Sequence, residues 1–224
     1  MVRFDPASGT RPTRVVETAR AAGVAVDPCP AERLTALAGT RRHQGVVADA
    51  SPFPYAPFDA LLAGRHRLLL LADQLQDPQN LGALIRSGDA AGAGGLMFPK
   101  QHGASVTATV EMAAAGAAAF LPVCRVPNVH RALRLLHDSG VWVVGLSPGA
   151  ATSLYDCELP DRLVLVVGGE SGMRPLVERT CDLVVSIPMQ GRVESLNVSV
   201  AAAVALFEVR RRWARQLDRG VPAR

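Results

Sequence analysis

Ile187-Pro188-Met189-Gln190-Gly191-Arg192-Val193-Glu194-Ser195-Leu196-Asn197-Val198-Ser199-Val200 joins an apolar stretch to an Ala-rich run that ends Leu206-Phe207-Glu208. The apolar stretch, Leu183 to Ile187, reads as a buried strand that runs into Pro188 and a turn at Gly191. The triplet Ser195-Leu196-Asn197 then opens a helix. Capping explains part of this, because Ser and Asn side chains accept hydrogen bonds from the first free N–H groups of a helix. It does not explain why so polar a loop is wedged between two apolar elements. Loops held by a rigid strand and helix are where binding sites are usually built.

Two earlier blocks share that design. Asp73-Gln74-Leu75-Gln76-Asp77-Pro78-Gln79-Asn80-Leu81-Gly82-Ala83-Leu84-Ile85-Arg86 leaves the strand Leu68–Ala72 and enters a helix at Asp77-Pro78. Leu163-Val164-Leu165-Val166-Val167-Gly168-Gly169-Glu170-Ser171-Gly172-Met173 is a strand ending in a Gly-Glu turn. Between and around them apolar strands alternate with helices. Strands are expected at 95–98, 121–126, 141–146, 163–167 and 183–187, and helices at 81–91, 106–115, 130–139 and 198–217. Near-continuous apolar strands separated by helices indicate an α/β fold with a parallel sheet covered on both faces.

Familiar alternatives fail on spacing. Gly92, Gly94 and Gly95 do not form Gly-x-Gly-x-x-Gly, and they precede a strand where a dinucleotide motif would follow one. Gly168-Gly169-Glu170-Ser171-Gly172 is not a Gly-x-Ser-x-Gly nucleophile elbow. Cys29, Cys124, Cys157 and Cys181 are scattered without a Cys-x-x-Cys pair, and the five histidines lack ligand spacing, so no metal is expected.

Taken in order, the three blocks resemble the signature motifs of the SpoU (TrmH-type) RNA 2′-O-methyltransferases, across residues 73 to 208. The branch most similar modifies a guanosine in large-subunit ribosomal RNA. The resemblance implies a SPOUT-type α/β domain with a C-terminal trefoil knot, S-adenosyl-L-methionine as cofactor, and a homodimer. It also implies the site. Asn80, Arg86, Glu170, Ser195 and Asn197 match the catalytic positions; Leu146, Gly168, Ile187, Met189 and Leu196 match or adjoin those that line the cofactor. A guanidinium stays charged in proteins, so Arg86 is read as an electrostatic clamp on the developing alkoxide and the neighbouring phosphate. Asn80 would position Arg86 or the ribose. Glu170 would orient the constellation and help accept the proton. Two departures stand out: Gly169, where the family often has Asn, and a turn after Glu170 that is one residue shorter.

Each of these residues also has an ordinary reading, as a helix cap, a turn residue or plain core. The rivals to the main reading are a tRNA target, a ribosomal site whose methylation blocks an antibiotic, and a non-catalytic RNA-binding or ribosome-assembly factor.

The chain of 224 residues carries a net charge of +4 that is unevenly placed. Residues 1–67 hold nine Arg against six acids, residues 208–224 six Arg against two, and the middle is slightly acidic. Basic ends suit an RNA partner. Composition is the alternative, because Lys100 is the single lysine against 23 arginines. Arg210-Arg211-Arg212 reads equally as an RNA contact or a solvated helix end, His43 is a candidate RNA contact, and Trp142 is expected in the core. No apolar run approaches the ~18 residues of a membrane span, and the start lacks a secretory signal's apolar core, so a cytoplasmic protein is expected. Residues 1–50 are expected as a small, truncated α/β region resembling an L7Ae-like RNA-substrate-binding domain, and 51–64, with its prolines, as a linker. Residues 65–224 are then the methyltransferase domain.

Overall fold

The structure, a computed structural model, describes residues 1–101 and 104–218. The chain divides into two compact units, Met1–Phe53 and Pro54–Arg224. In the first, β1 (Val2–Phe4), α1 (Thr10–Ala21), β2 (Val26–Pro28), α2 (Ala31–Ala38) and β3 (Val46–Ala48) follow in order. β1 lies between its neighbours, parallel to β2 and antiparallel to β3. Before β3, the backbone N–H of Gly45 donates to Nδ1 of His43 at 3.1 Å. The ring proton therefore sits on Nε2, which donates to Oγ1 of Thr35 at 3.1 Å. Both nitrogens of His43 are engaged inside this unit, so its side chain orders a turn rather than offering a free RNA contact.

The second unit runs α3 (Phe58–Ala63), β4 (Leu68–Asp73), α4 (Pro78–Ala90), β5 (Leu96–Pro99), α5 (Ala108–Ala114), β6 (Val123–Val126), α6 (Val129–Asp138), β7 (Trp142–Leu146), β8 (Thr152–Ser153), β9 (Leu163–Gly168), α7 (Pro175–Glu178), β10 (Leu183–Ser186) and α8 (Val198–Asp218). Its seven strands pair in parallel in the order β6-β5-β4-β9-β7-β10-β8. The uninterrupted apolar runs have the reason expected: Leu68–Leu71 and Leu163–Val166 are no more than 1% exposed, buried on both faces. On one face Leu69, Leu71, Val164 and Val166 meet Leu61 of α3, Leu133 and Leu136 of α6, and Val177 of α7. The alternation of a strand turns Leu68, Leu70, Leu163 and Leu165 to the other face. There α8 packs on β9, β7 and α4. Each fully buried leucine contributes roughly 1.5–3 kcal/mol to the folded state.

Three sequence expectations need correction. The stretch expected as linker contains α3, because Pro57 sits just before the first helical turn, where a missing N–H costs nothing. Trp142 is 51% exposed, since it opens β7 at the sheet's N-terminal edge; Trp213 of α8, 2% exposed, is the buried one. The basic cluster of α8 is largely internal. Arg210 donates to the carbonyls of Ala91 and Gly92, and Arg212 to those of Cys157 and Leu154. Glu208, 8% exposed, accepts from Arg211 and Arg212 at 2.7 Å. These bonds hold Glu208's carboxyl at about 2, with the Arg211 hydrogen bond the largest cause. This part of α8 is thus fastened to the loops beneath it, and of Arg210, Arg211 and Arg212 only Arg211, 46% exposed, keeps much contact with solvent.

The four cysteines are free. Burial pushes the thiol of Cys124 up to about 11 and that of Cys181 to about 12. Both are held as unreactive thiols at neutral pH. Among the described residues no group of His, Cys, Asp and Glu is placed to hold a metal ion, and no helix is long and apolar enough to cross a membrane.

Candidate functional site

A cavity of about 390 Å³ opens beyond the C-terminal ends of β9, β7 and β10, the edge at which parallel sheets commonly bind ligands. Three loops enclose it. Val167, Gly168, Gly169, Glu170 and Gly172 come from the end of β9, and Leu146, Ser147 and Pro148 from the end of β7. Ile187, Met189, Glu194, Ser195 and Leu196 come from the loop after β10, and Asn197, Val198 and Ala201 from the head of α8.

The β9 loop is shaped by close backbone approach. A Cβ on Gly168 would lie 2.0 Å from the carbonyl carbon of Gly172, and one on Gly169 2.4 Å from the carbonyl oxygen of Gln74. Only glycine fits either position. Beyond them the N–H of Gly172 donates to the carbonyl of Gly169 at 3.0 Å, so Glu170 sits at the tip of a tight turn. An ion pair anchors this turn from below. Asp73, the last residue of β4, is fully buried, and its carboxylate accepts from the backbone N–H of Arg174 at 2.9 Å and from that guanidinium at 2.6 to 3.2 Å. No local pattern announces this pair, whose members lie 101 positions apart.

The opposite wall joins two helices. Asp77 caps α4, accepting from the N–H of Gln79 at 2.9 Å, with Pro78 following. That start delivers Asn80, 7% exposed, to the cavity. Its Oδ1 accepts a hydrogen bond from Nδ2 of Asn197 at 3.0 Å. Oδ1 of Asn197 in turn accepts from the N–H and hydroxyl of Ser199 at 2.9 and 2.6 Å. Asn197 therefore caps α8 and reaches the site at the same time. Ser195, exposed, lines the cavity without being that cap.

Of the residues singled out by sequence, Asn80, Glu170, Ser195, Asn197, Leu146, Gly168, Ile187, Met189 and Leu196 meet around this one cavity. Arg86 does not. It is exposed on α4, and six residues of helix turn it about 120° away from Asn80. Asn80 is bonded to Asn197, so it does not position Arg86 within this chain. The sequence reading did not single out Ser147, Pro148, Glu194, Val198 or Ala201, which complete the lining.

The wall is apolar at Leu146, Val167, Ile187, Met189 and Leu196, with amide edges at Asn80 and Asn197 and carboxylates at Glu170 and Glu194. Among the described residues no Lys, Arg or His lines it. Such a cavity can sandwich a flat apolar ring and hold polar or cationic groups, but offers nothing to neutralise a phosphate.

Residues 67–207 match the model of the SpoU rRNA Methylase family. The chain belongs to that family. Residues 5–56 match a second model, RNA 2′-O ribose methyltransferase substrate binding. The chain is 47% identical over 152 residues to a 23S rRNA (guanosine-2′-O-)-methyltransferase of Photobacterium profundum, covering 67% of this chain and 62% of that one. It is 48% identical over 165 residues to an uncharacterized tRNA/rRNA methyltransferase of Mycobacterium ulcerans, covering 71% and 53%. The matched part thus spans less than two thirds of these curated relatives. In structure this SpoU-family chain resembles the SpoU methyltransferase AviRb of Streptomyces viridochromogenes in complex with AdoMet, with TM-score 0.80 and 26% identity over 95% of this chain and 83% of that one. It also resembles a TrmH/SpoU tRNA modifying enzyme of A. aeolicus, with TM-score 0.62 and 26% identity over 73% and 84%. The parallel sheet expected from sequence is therefore the family's own.

Proposed function

We propose that the chain transfers a methyl group from S-adenosylmethionine to a ribose 2′-hydroxyl of RNA, with large-subunit ribosomal RNA as substrate and the cytoplasm as its place of action. The observation that carries this reading is the meeting of Asn80, Glu170, Ser195 and Asn197 around one partly apolar cavity. The 23S rRNA guanosine methyltransferases among its relatives supply the choice of RNA.

The lining fits the cofactor. Leu146, Ile187, Met189 and Leu196 would hold its adenine, and Gly168, lacking a Cβ, would let the backbone approach it closely. The cofactor supplies a methyl group on a positively charged sulfur. Asn80 and Asn197, locked to each other, present amide edges of fixed orientation, and Ser195 adds a hydroxyl. Glu170, at the turn tip, would take the proton that the ribose gives up.

The homodimer and the C-terminal knot belong to the same reading. Val200 and Phe207, one helical face of α8, are 48% and 51% exposed, and apolar surface of that kind favours a second copy. Arg86 would then serve the cavity of that second copy, supplying the cation that the lining lacks. The knot is supported by the position of β10 between β7 and β8, with α8 turning back over α4 and β9.

The test is incubation with methyl-labelled cofactor and ribosomal RNA, followed by mapping of the label. Label on a ribose 2′-oxygen of large-subunit RNA supports the proposal. Label on transfer RNA alone would move the substrate, and label on a base would overturn the reaction.

A further inference from the structure

We propose that Glu194 makes this cavity prefer the charged methyl donor over its neutral, demethylated product. The inference rests on the reading of the cavity as the S-adenosylmethionine site and goes on to its discrimination between two ligands. It starts from a mismatch between this chain and this cavity. The protein has 23 arginines, and the two buried carboxylates and one of the partly buried ones are paired with them. Asp73 is held by Arg174, Glu208 by Arg211 and Arg212, and Asp161 by Arg67. The cavity has no such pairing. Glu170 from the β9 turn and Glu194 from the loop before α8 both line it, and among the described residues neither has an ion-pair partner and no cation stands on its wall.

Two carboxylates sharing one partly apolar cavity repel each other, and the repulsion is strongest where water is displaced. A ligand relieves it only by bringing positive charge. S-adenosylmethionine, with sulfonium, ammonium and carboxylate, carries a net charge of +1 at neutral pH; S-adenosylhomocysteine, with a neutral thioether, carries none. The two are otherwise nearly the same in shape, so the apolar wall cannot tell them apart. Charge can. Holding the donor's charge does not itself accelerate transfer, since it acts in the ground state. Its consequence is exchange: when the methyl group leaves, the ligand that stays behind has lost the charge that favoured it, and fresh donor displaces it.

Glu194 is the better probe of the two carboxylates, because Glu170 is already placed in the transfer reaction. It is exposed in a loop and makes no hydrogen bond that supports the fold. Glu194→Gln removes the charge and keeps the shape. Titration calorimetry on the full chain at low salt would compare S-adenosylmethionine with S-adenosylhomocysteine. The donor should bind more tightly to the parent, and Glu194→Gln should cut that preference by roughly threefold to tenfold, the size expected for one screened charge pair at a rim. The variant should weaken donor binding while leaving product binding within about twofold. Glu194→Asp should retain most of the preference.

Equal weakening of both ligands would overturn the proposal, since it would mean that Glu194 bonds a group they share, such as the ribose hydroxyls. Unchanged binding of both would overturn it as well. A parent chain that binds neither ligand would overturn the cofactor reading itself. Binding of both with an unaltered ratio in the variant would remove Glu194 alone.

Discussion

The two ends of α8 carry similar polar chemistry and use it in opposite ways. At its head, Asn197 divides its amide between capping the helix and bonding Asn80, and the cavity opens beside it. At its tail, Glu208, Arg210 and Arg212 find partners in the protein itself, on the carbonyls of Ala91, Gly92, Leu154 and Cys157 and on one another. A polar group committed inside the fold contributes stability and little else. One left facing a cavity contributes little stability and is available to a ligand. The arginines of the tail would have been the natural choice for RNA contact on charge alone. Geometry assigns them to holding the helix down.

The contrast is sharpest at Arg86, which is exposed and does not line the cavity at the head of α8. If it clamps charge that forms only in the transition state, Arg86→Ala should lower turnover by roughly 10²–10³ with cofactor affinity nearly intact. Arg86→Lys should rescue little, because an ammonium lacks the guanidinium's fork. Mixing the impaired Arg86→Ala and Asn197→Ala chains should raise activity above that of either alone, since one cavity of the mixed dimer would have both groups intact. No recovery would mean that Arg86 serves its own chain or none.

Asn197→Ala should come next. It removes a helix cap, at about 1 kcal/mol, and leaves Asn80 without its partner. Turnover should fall by roughly tenfold to a hundredfold, beyond what lost stability explains, because misplaced groups cost rate steeply. Asn80→Ala should have a comparable effect. Single-turnover rates of the double variant should fall little further than either single, as expected of two residues acting as a unit.

The tail should answer differently. Glu208→Gln should cost roughly 1.5–3 kcal/mol of stability, the range for hydrogen bonds to a charged group, and leave the single-turnover rate of the folded enzyme unchanged. The pH dependence has a definite sign. Glu208 is held at about 2 against an ordinary 4.5, so its contribution is complete above the ordinary value and is lost as pH falls from about 4.5 toward 2. Thermal melts across that window should show a shallower acid decline in Glu208→Gln than in the parent. The smallest effect is expected at Arg211, the exposed member of the cluster. Arg211→Ala should alter the salt dependence of RNA binding by at most about one unit of slope. A larger change would return the tail of α8 to the RNA interface.

What sequence could show depended on whether a feature was local. Leu68–Leu71 and Leu163–Val166 read as buried strands because nothing polar interrupts them. Asp77-Pro78 marked the start of α4, and Ser195-Leu196-Asn197 that of α8, because caps announce themselves within three residues. Elements of one turn or less escaped: β8 spans Thr152–Ser153 and α7 Pro175–Glu178, too short for any periodicity. Trp142 was misread because burial at a strand's first residue depends on how far the covering helices extend. The Asp73–Arg174 pair, which fixes the β9 turn, joins residues far apart in sequence and gave no local signal. Motif resemblance led to nine residues that line one cavity, but it did not reveal that Arg86 lies away from it or that Glu194 joins the lining.

The most direct test of the account compares the two ends of α8 in one assay. Asn197→Ala and Glu208→Gln would be assayed below their melting temperatures for single-turnover methyl transfer to large-subunit ribosomal RNA at saturating S-adenosylmethionine, with the methylated ribose mapped. The account predicts parental rate and position for Glu208→Gln, and a loss of at least about tenfold for Asn197→Ala. Equal rates in the two variants would contradict it, because the cavity at the head of α8 would then not be where the methyl group is transferred.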